Sequence, residues 1–351
     1  STIDVEAQNG SITMADGAIA QTTGGNIRYL AAVNVTLGGL NAGSGSASVT
    51  ATTGAISDNG DADKDIRAGQ ARLSAATGIG TAANHLDTAV ATLAARSGSI
   101  GIFADDDDAL AVGALTAIAV NRVDLDGTVP ALLVQTDAAL AEVRVTGTGN
   151  IVLGTINGTL TLNQAVAVDV AGNIRLAAQT TGASDKDVVV NAAVSTASGN
   201  ITLIANRSVA QAAAGDLSVG GTGTIDVEAQ AGSITMSDTG SDSATAITAG
   251  GNIRYLAAGS VAVGGLNAGV GFVSVTATAG SVTDSGDSAM DVRAAKARFV
   301  AGVGIGAGTN HIETAVNVLS ARAQSGGIFV TDEDALTVDT VEAMSVNRVD
   351  V

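Results

Sequence analysis

Residues 199–205 read GNITLIA, and related runs stand at 25–31 (GNIRYLA), 149–155 (GNIVLGT), 172–178 (GNIRLAA) and 251–257 (GNIRYLA). After each Gly-Asn, small or β-branched residues alternate with others at a period of two, which is the pattern of a strand with one buried face. Gly-Asn itself supplies a turn, because both residues tolerate a left-handed backbone. GSI variants of the same punctuation begin at Gly10, Gly98 and Gly232. Successive GNI runs at 149, 172 and 199 lie 23 and 27 residues apart. That is too short for a strand–helix–strand unit of roughly 30 residues and suits one coil of a β-solenoid. One coil cannot bury its own apolar edge, whereas stacked coils share an interior.

A longer period encloses the short one. Residues 2–14, TIDVEAQNGSITM, return at 224–236 with 12 of 13 positions identical, and 24–43 return at 250–269 with 16 of 20 identical. The offset grows from 222 to 226, so the second copy carries four extra residues within 237–248. The match continues through NHLDTAV at Asn84 and NHIETAV at Asn310, then NRVD at Asn121 and Asn347. The chain therefore divides into a first module at 1–125, intervening coils at 126–223 and a second module at 224–351. These are expected to form one continuous solenoid cut from a longer protein.

Composition agrees. Gly numbers 45 of 351 residues, there are only six aromatics and one Pro, and charged residues are 14%. With a mean hydropathy of +0.36 the chain has too much aliphatic bulk for disorder. It also has too few rings for an ordinary enzyme core. Pro is nearly excluded because each strand donates backbone N–H groups to its neighbour. Asp outnumbers Glu by 28 to six, and Asp favours turns where Glu favours helices. The expectation is an all-β chain: a parallel β-helix, or β-solenoid, forming an elongated rod of roughly 16 coils at about 4.8 Å per coil. Asn at matching positions of successive coils is expected to form a hydrogen-bonded ladder. The net charge of −18 disfavours nucleic acid and anionic membrane surfaces. The absence of Cys excludes disulfides and thiolate chemistry. The longest apolar stretch, 109–120, is too short to span a bilayer.

The GNI-x-L-x-A and GSIT-type repeats, set in Gly-, Ala-, Thr- and Asn-rich sequence, resemble giant bacterial surface adhesins related to filamentous haemagglutinin. The stretch from Gly54 (GAISDNGDADKDIRAGQARLSAATGIG) through Asn84 (NHLDTAVATLAA) to Gly101 (GIFADDDDALAV) is similar to tandem modules of very large β-strand-repeat exoproteins. The resemblance covers essentially the whole chain. It implies a right-handed winding, export to the cell surface, and a role in attachment, cell–cell contact or surface fibres. It brings no shared catalytic motif.

Four groups of residues are candidates for chemistry. Asp58, Asp61, Asp63 and Asp65, and in the second copy Asp284, Asp287 and Asp291, place carboxylates at short intervals beside Gly, as calcium-binding loops do. Neither copy has the downstream Glu of an EF-hand loop, and the competing reading is a solvated turn whose Asp residues cap backbone N–H groups. Asp105, Asp106, Asp107 and Asp108, matched by Thr331, Asp332, Glu333 and Asp334, read as a charged surface loop. A carboxylate pair of a polysaccharide-cleaving β-helix or a weak cation site are the alternatives. His85 and His311, followed by Asp87 and Glu313, are expected to fill turns and bond backbone, since a metal site needs three or four converging ligands. The basic residues recur in phase (Arg28 and Arg254, Arg67 and Arg293, Arg72 and Arg298, Arg96 and Arg322, Arg122 and Arg348) and are expected outside, in weak surface salt bridges. Tyr29 and Tyr255 fall on the inward face by alternation.

These readings lead to a structural or adhesive stalk segment of an extracellular or cell-surface protein, not an enzyme, with no cofactor beyond calcium at the Asp loops. A calcium- or glycan-binding adhesion module is the alternative, and a polysaccharide-degrading enzyme a third. The expected partners are neighbouring copies end to end or other surface proteins, including those of a host or neighbouring cell. Neither nucleic acid nor membrane insertion is expected.

Overall fold

The computed structural model describes residues 1–60, 63–128, 133–179, 186–238, 242–284, 286 and 288–350. They form two compact units, one of Ser1–Gly158 with Asn163–Asp169, the other of Thr159–Leu162 with Val170–Val351. No α-helix occurs among the described residues. Each unit is a stack of parallel strands, a β-solenoid, and the chain winds about 14 turns in all. That is fewer than length alone suggests, because some coils are long and residues are diverted into segments that leave the stack.

The GNI strands stack as the alternation requires. In the first unit Ile3–Ala7 lies against Ile27–Ala31, then Ser46–Ala51, then the second half of Ile66–Ala75. The inward columns are Ile3, Ile27, Ala47, Ala71 and Leu93, beside Val5, Tyr29, Val49, Leu73 and Ala95. In the second unit the corresponding columns are Ile201, Ile225, Ile253, Val273, Ala297 and Leu319, beside Leu203, Val227, Tyr255, Val275, Phe299 and Ala321. Each tyrosine stands between two valines of its column, Val5 and Val49 or Val227 and Val275, and Phe299 lies beside Ala297, which keeps the narrow interior filled. Both tyrosines are buried, and the Tyr255 hydroxyl donates to Gln211 Oε1 at 2.6 Å.

The turns are joined by side-chain ladders. Asn200 donates from Nδ2 to Asn173 Oδ1 at 2.9 Å. At most steps, however, the Asn oxygen accepts a backbone N–H of the next coil: Thr224 from Asn200, Phe272 from Asn252, Ser46 from Asn26. The GSI serines do the same, with Ser208, Ser233 and Ser260 Oγ accepting the N–H of Ser233, Ser260 and Ser281 in turn. These bonds satisfy backbone donors at corners, where the strand ladder is interrupted.

One coil of each module rearranges the cross-section. In the first unit Leu86–Ser97 is a single 12-residue strand. Three separate segments lie over it: 104–106, 111–112 and 143–145. Conversely, Gly101–Asp106 runs straight across the corner that separates Gly78–Ile79 from Leu86. That corner is built by Gly80, at a φ of 62°, and by mutual backbone bonds between Thr81 and Asn84. Gly306, Ala307 and Asn310 repeat it before the 12-residue strand Ile312–Ala323.

Between 112 and 143 the chain leaves the stack. Ile118–Asn121 and Val134–Asp137 pair as an antiparallel hairpin laid on the outer face of the first coils. Asn121 N donates to Thr2 Oγ1 at 2.9 Å and Asn26 Nδ2 to Ala119 O at 2.9 Å. In the second unit the residues around Asn347 fold back in the same way, with Asn252 Nδ2 on Ser345 O and Asn347 N on Thr224 Oγ1, both at 2.8 Å. The NRVD repeat is thus an outer arm rather than a coil strand.

Close stacking makes certain glycines obligatory. A Cβ on Gly223 would lie 1.6 Å from Gly199 O, and one on Gly251 would lie 1.9 Å from Gly223 O, whereas Gly10 has open space. Gly223→Ala is expected to lower stability by about 1–3 kcal/mol through this overpacking. Gly10→Ala should leave it within about 0.5 kcal/mol. Urea melts of the two variants beside the parent check the contrast.

Candidate functional site

The rearranged corner gathers the acids. In the first unit Asp58 follows the strand Ile56–Ser57, and its carboxyl is 9% exposed. Its Oδ1 accepts Gly60 N at 3.1 Å and also Asn84 Nδ2, while Oδ2 is buried and has no hydrogen-bond partner. Asp65, 2% exposed, sits one coil below Asp87 and accepts its N–H at 2.7 Å. One oxygen from each of Asp58, Asp65 and Asp87 lies within 4.8 Å of the others. Lys64 Nζ reaches Asp87 Oδ1 at 3.5 Å and Asp107 Oδ1 at 3.8 Å. Burial raises the Asp87 carboxyl above its ordinary range against the pull of Lys64, and the charges of Asp105 and Asp58 push the same way as burial.

The second unit builds the corresponding site differently. Asp284 Oδ2 accepts Gly286 N at 3.1 Å, and Asp291, 1% exposed, accepts Glu313 N at 2.8 Å. The third carboxyl of the cluster is Asp238, which accepts the Ser243 hydroxyl; one oxygen from each of Asp238, Asp284 and Asp291 lies within 4.8 Å of the others. Glu313 borders the group, and its Oε2 is buried without a hydrogen-bond partner. Met290 stands where the first copy has Lys64. Burial, reinforced by the charges of Asp284, Glu313 and Asp238, pushes Asp291 up to about 9. Burial and Asp284 raise Glu313 as well.

Of the seven acids expected in the calcium loops, Asp58 and Asp65 come together in one unit and Asp284 and Asp291 in the other, while Asp63 is exposed and outside the cluster. Asp61 and Asp287 lie outside the described residues. Asp58 and Asp284 do cap the N–H two residues on, as a turn reading requires, but they are buried rather than solvated. Asp87 and Asp238 were not singled out as members. Asp87 is recoverable from spacing, since 65 to 87 and 291 to 313 are each one coil of 22 residues. Asp238 is not: its counterpart Asp16 is exposed.

The run at 105–108 is not a free charged loop. Asp105 Oδ2 meets His85 Nδ1 at 2.8 Å. Asp106 is fully buried and accepts Thr88 Oγ1 at 2.8 Å, Val90 N at 2.9 Å and Asp108 N at 3.1 Å. Asp332 repeats these bonds with Thr314, Val316 and Asp334. Two adjacent carboxyls so engaged fasten one coil to the next. Each His bonds a side chain of the next coil rather than backbone: His85 as above, His311 to Thr331 Oγ1 at 2.6 Å. Each also packs against a ring, Phe103 or Phe329.

Arg67, Arg96, Arg293 and Arg322 are exposed as expected, Arg293 in a surface pair with Glu333 at 3.2 Å, but the arginines beneath and within the outer arms depart from expectation. Arg28 is buried, with side-chain exposure of 6%, equal to that of its partner Asp4. It binds Asp4 at 2.8 Å, Asp137 of the hairpin at 2.9 Å and Glu6 at 3.3 Å. Burial alone would lower its pKa, but the bonds to Asp137 and Asp4 outweigh it. Arg122 from the arm reaches the same two acids, Asp4 and Glu6. In the second unit Arg254 and Arg348 share Asp226 and Glu228. The acids of the IDVEA strand thus pin each arm to its coils.

Compared with protein-family models, curated proteins and solved structures, the chain gives no match.

Arg28→Met, which removes the ion pair of the nearly buried Asp137 and leaves Asp4 with Arg122 alone, is expected to cost about 3–5 kcal/mol. Arg122→Met should cost about 1 kcal/mol or less, because its side chain is 30% exposed and Asp4 keeps Arg28. Chemical denaturation of both variants measures the difference. With chelator present, thermal stability should rise as pH falls from about 9 to about 5. A carboxyl whose folded pKa is raised holds a proton that the unfolded chain releases, so acid favours the folded state across that window. Carboxyls held low, such as Glu6 by Arg122 and Asp187 by Arg207, oppose this only below about 4.5. Asp291→Asn should flatten the profile in melts followed by circular dichroism.

Proposed function

We propose that this chain is a structural and adhesive stalk segment of a secreted or cell-surface bacterial protein, wound as a right-handed β-helix and acting in attachment, cell–cell contact or surface fibres. The observation that carries the reading is the parallel ladder within each unit. Coil after coil repeats the same register, and the interior columns are aliphatic with few rings. Backbone bonds that run coil to coil resist extension along the stack. The Asn and Ser ladders and the Asp106 and Asp332 brackets tie the turns where the backbone ladder breaks.

The acidic charge of −18 keeps neighbouring segments apart laterally. Its partners on this reading are further copies or other proteins of the surface to which it belongs. A catalytic reading of the 105–108 run has less support, since Asp105 and Asp106 are held by His85, Thr88 and Val90.

Immunogold electron microscopy of intact producing cells, with an antibody raised against this chain, tests the proposal. Label on surface fibres or at cell–cell contacts is the expected result. Label confined to the cytoplasm, or free in the medium with none on cells, would overturn it.

A further inference from the structure

We propose that the corner of each module is a divalent-cation site of the calcium class, formed by Asp58, Asp65 and Asp87 in the first unit and by Asp238, Asp284 and Asp291 with Glu313 in the second. The second site is the tighter. Two observations beyond the clustering of acids point to a ligand. Asp58 Oδ2 is buried without a hydrogen-bond partner on a carboxyl only 9% exposed. Beside the second cluster Glu313 Oε2 is also buried without a hydrogen-bond partner, on a residue that is itself only partly buried. A buried, unsatisfied carboxylate oxygen is costly, and a bound cation removes that cost at both places.

The geometry selects the cation. All donors are hard oxygens, which excludes the softer metals that prefer sulfur and nitrogen. Within each triad one oxygen from every carboxyl lies within 4.8 Å of the other two. Calcium takes about six to eight such oxygens at about 2.3–2.6 Å in flexible geometry, whereas magnesium demands a near-ideal octahedron at about 2.0–2.1 Å, which carboxyls already committed to backbone N–H groups favour less. Each triad draws its carboxyls from two stretches of chain, the connection that carries Asp58 and Asp65 with Asp87 one coil on, and the connection that carries Asp284 and Asp291 with Asp238, so a bound ion ties those stretches together.

The two modules act as controls for each other. In the first, Lys64 reaches Asp87 and Asp107 and supplies an internal positive charge that competes with the ion. In the second, Met290 replaces that lysine and Asp238 adds a carboxyl whose counterpart in the first module, Asp16, is exposed. More carboxylate and no ammonium at that position give the second site its higher affinity. The sites stand whether or not the chain serves as a stalk.

The test is calorimetric titration of calcium chloride into the whole chelator-stripped chain, with thermal melts in EDTA and in calcium. Two binding events of unequal affinity are expected, and calcium should raise the melting temperature. Asp291→Asn should abolish the tighter event, and Asp58→Asn the weaker. Asp291→Asn should also melt higher than the parent in EDTA, because it relieves repulsion among buried acids. Lys64→Met, which removes no ligand, should tighten the weaker event by at least about tenfold. Absence of binding at millimolar calcium, equal binding of magnesium, or affinities unchanged in all three variants would each overturn the proposal. Should Asp291→Asn fail to fold, Lys64→Met decides alone: an unchanged or weakened second event counts against a cation site.

Discussion

Each coil of this protein takes its place from the parallel backbone ladder to the coil before it, and the rest of the structure follows from that constraint. Because the ladder is in register, a residue type at one position meets its equivalent one coil later, as Ile201 meets Ile225 and then Ile253. A column must then be filled by residues that stack in a narrow space, which is why Ala, Val and Ile dominate and rings are rare. The same constraint brings Gly199, Gly223 and Gly251 so close that no side chain fits between them.

Corners are where such a ladder is weakest, since the backbone turns and some N–H groups lose their partners. Side chains replace the missing acceptors there. Asn26, Asn200 and Asn252 do so on one edge, and Ser208, Ser233 and Ser260 on another. Asp65 and Asp291 do so at the rearranged corner, each accepting the N–H of the acid one coil on. Using carboxylates as acceptors in a confined place concentrates negative charge. The two modules answer it differently, the first with Lys64 and the second without a lysine. The drift between copies is therefore concentrated in electrostatics rather than in the ladder, which both keep.

Charge also holds the outer arms. Arg28 lies between an acid of the coil beneath it and one of the hairpin above it, Asp4 and Asp137, and is buried by both. Alternation correctly puts Arg28 on the outward face of its strand, but an outward face is not a wet one once another segment lies on it. The same argument applies to Asp226, fully buried beneath Arg254 and Arg348.

What the residues determined by themselves was the coil. Period-two alternation after Gly-Asn, a spacing near 23 residues and the scarcity of Pro and aromatics each follow from local geometry or from packing shared by every coil, so they are visible in one chain. The inward placement of Tyr29 and Tyr255 was legible for the same reason. Two of the three carboxyls in each acidic cluster were legible too, because Asp58 with Asp65, and Asp284 with Asp291, are close in sequence. Asp87 follows from the coil spacing once Asp65 is placed, but only the tertiary structure decided that Asp238 completes the second cluster, that Asp106 is buried, and that NRVD leaves the stack to lie across Asp4 or Asp226. These depend on which coil lies above which and on where the corner moves. Such contacts join residues 16 to more than 100 positions apart, and no local pattern encodes a distance of that kind.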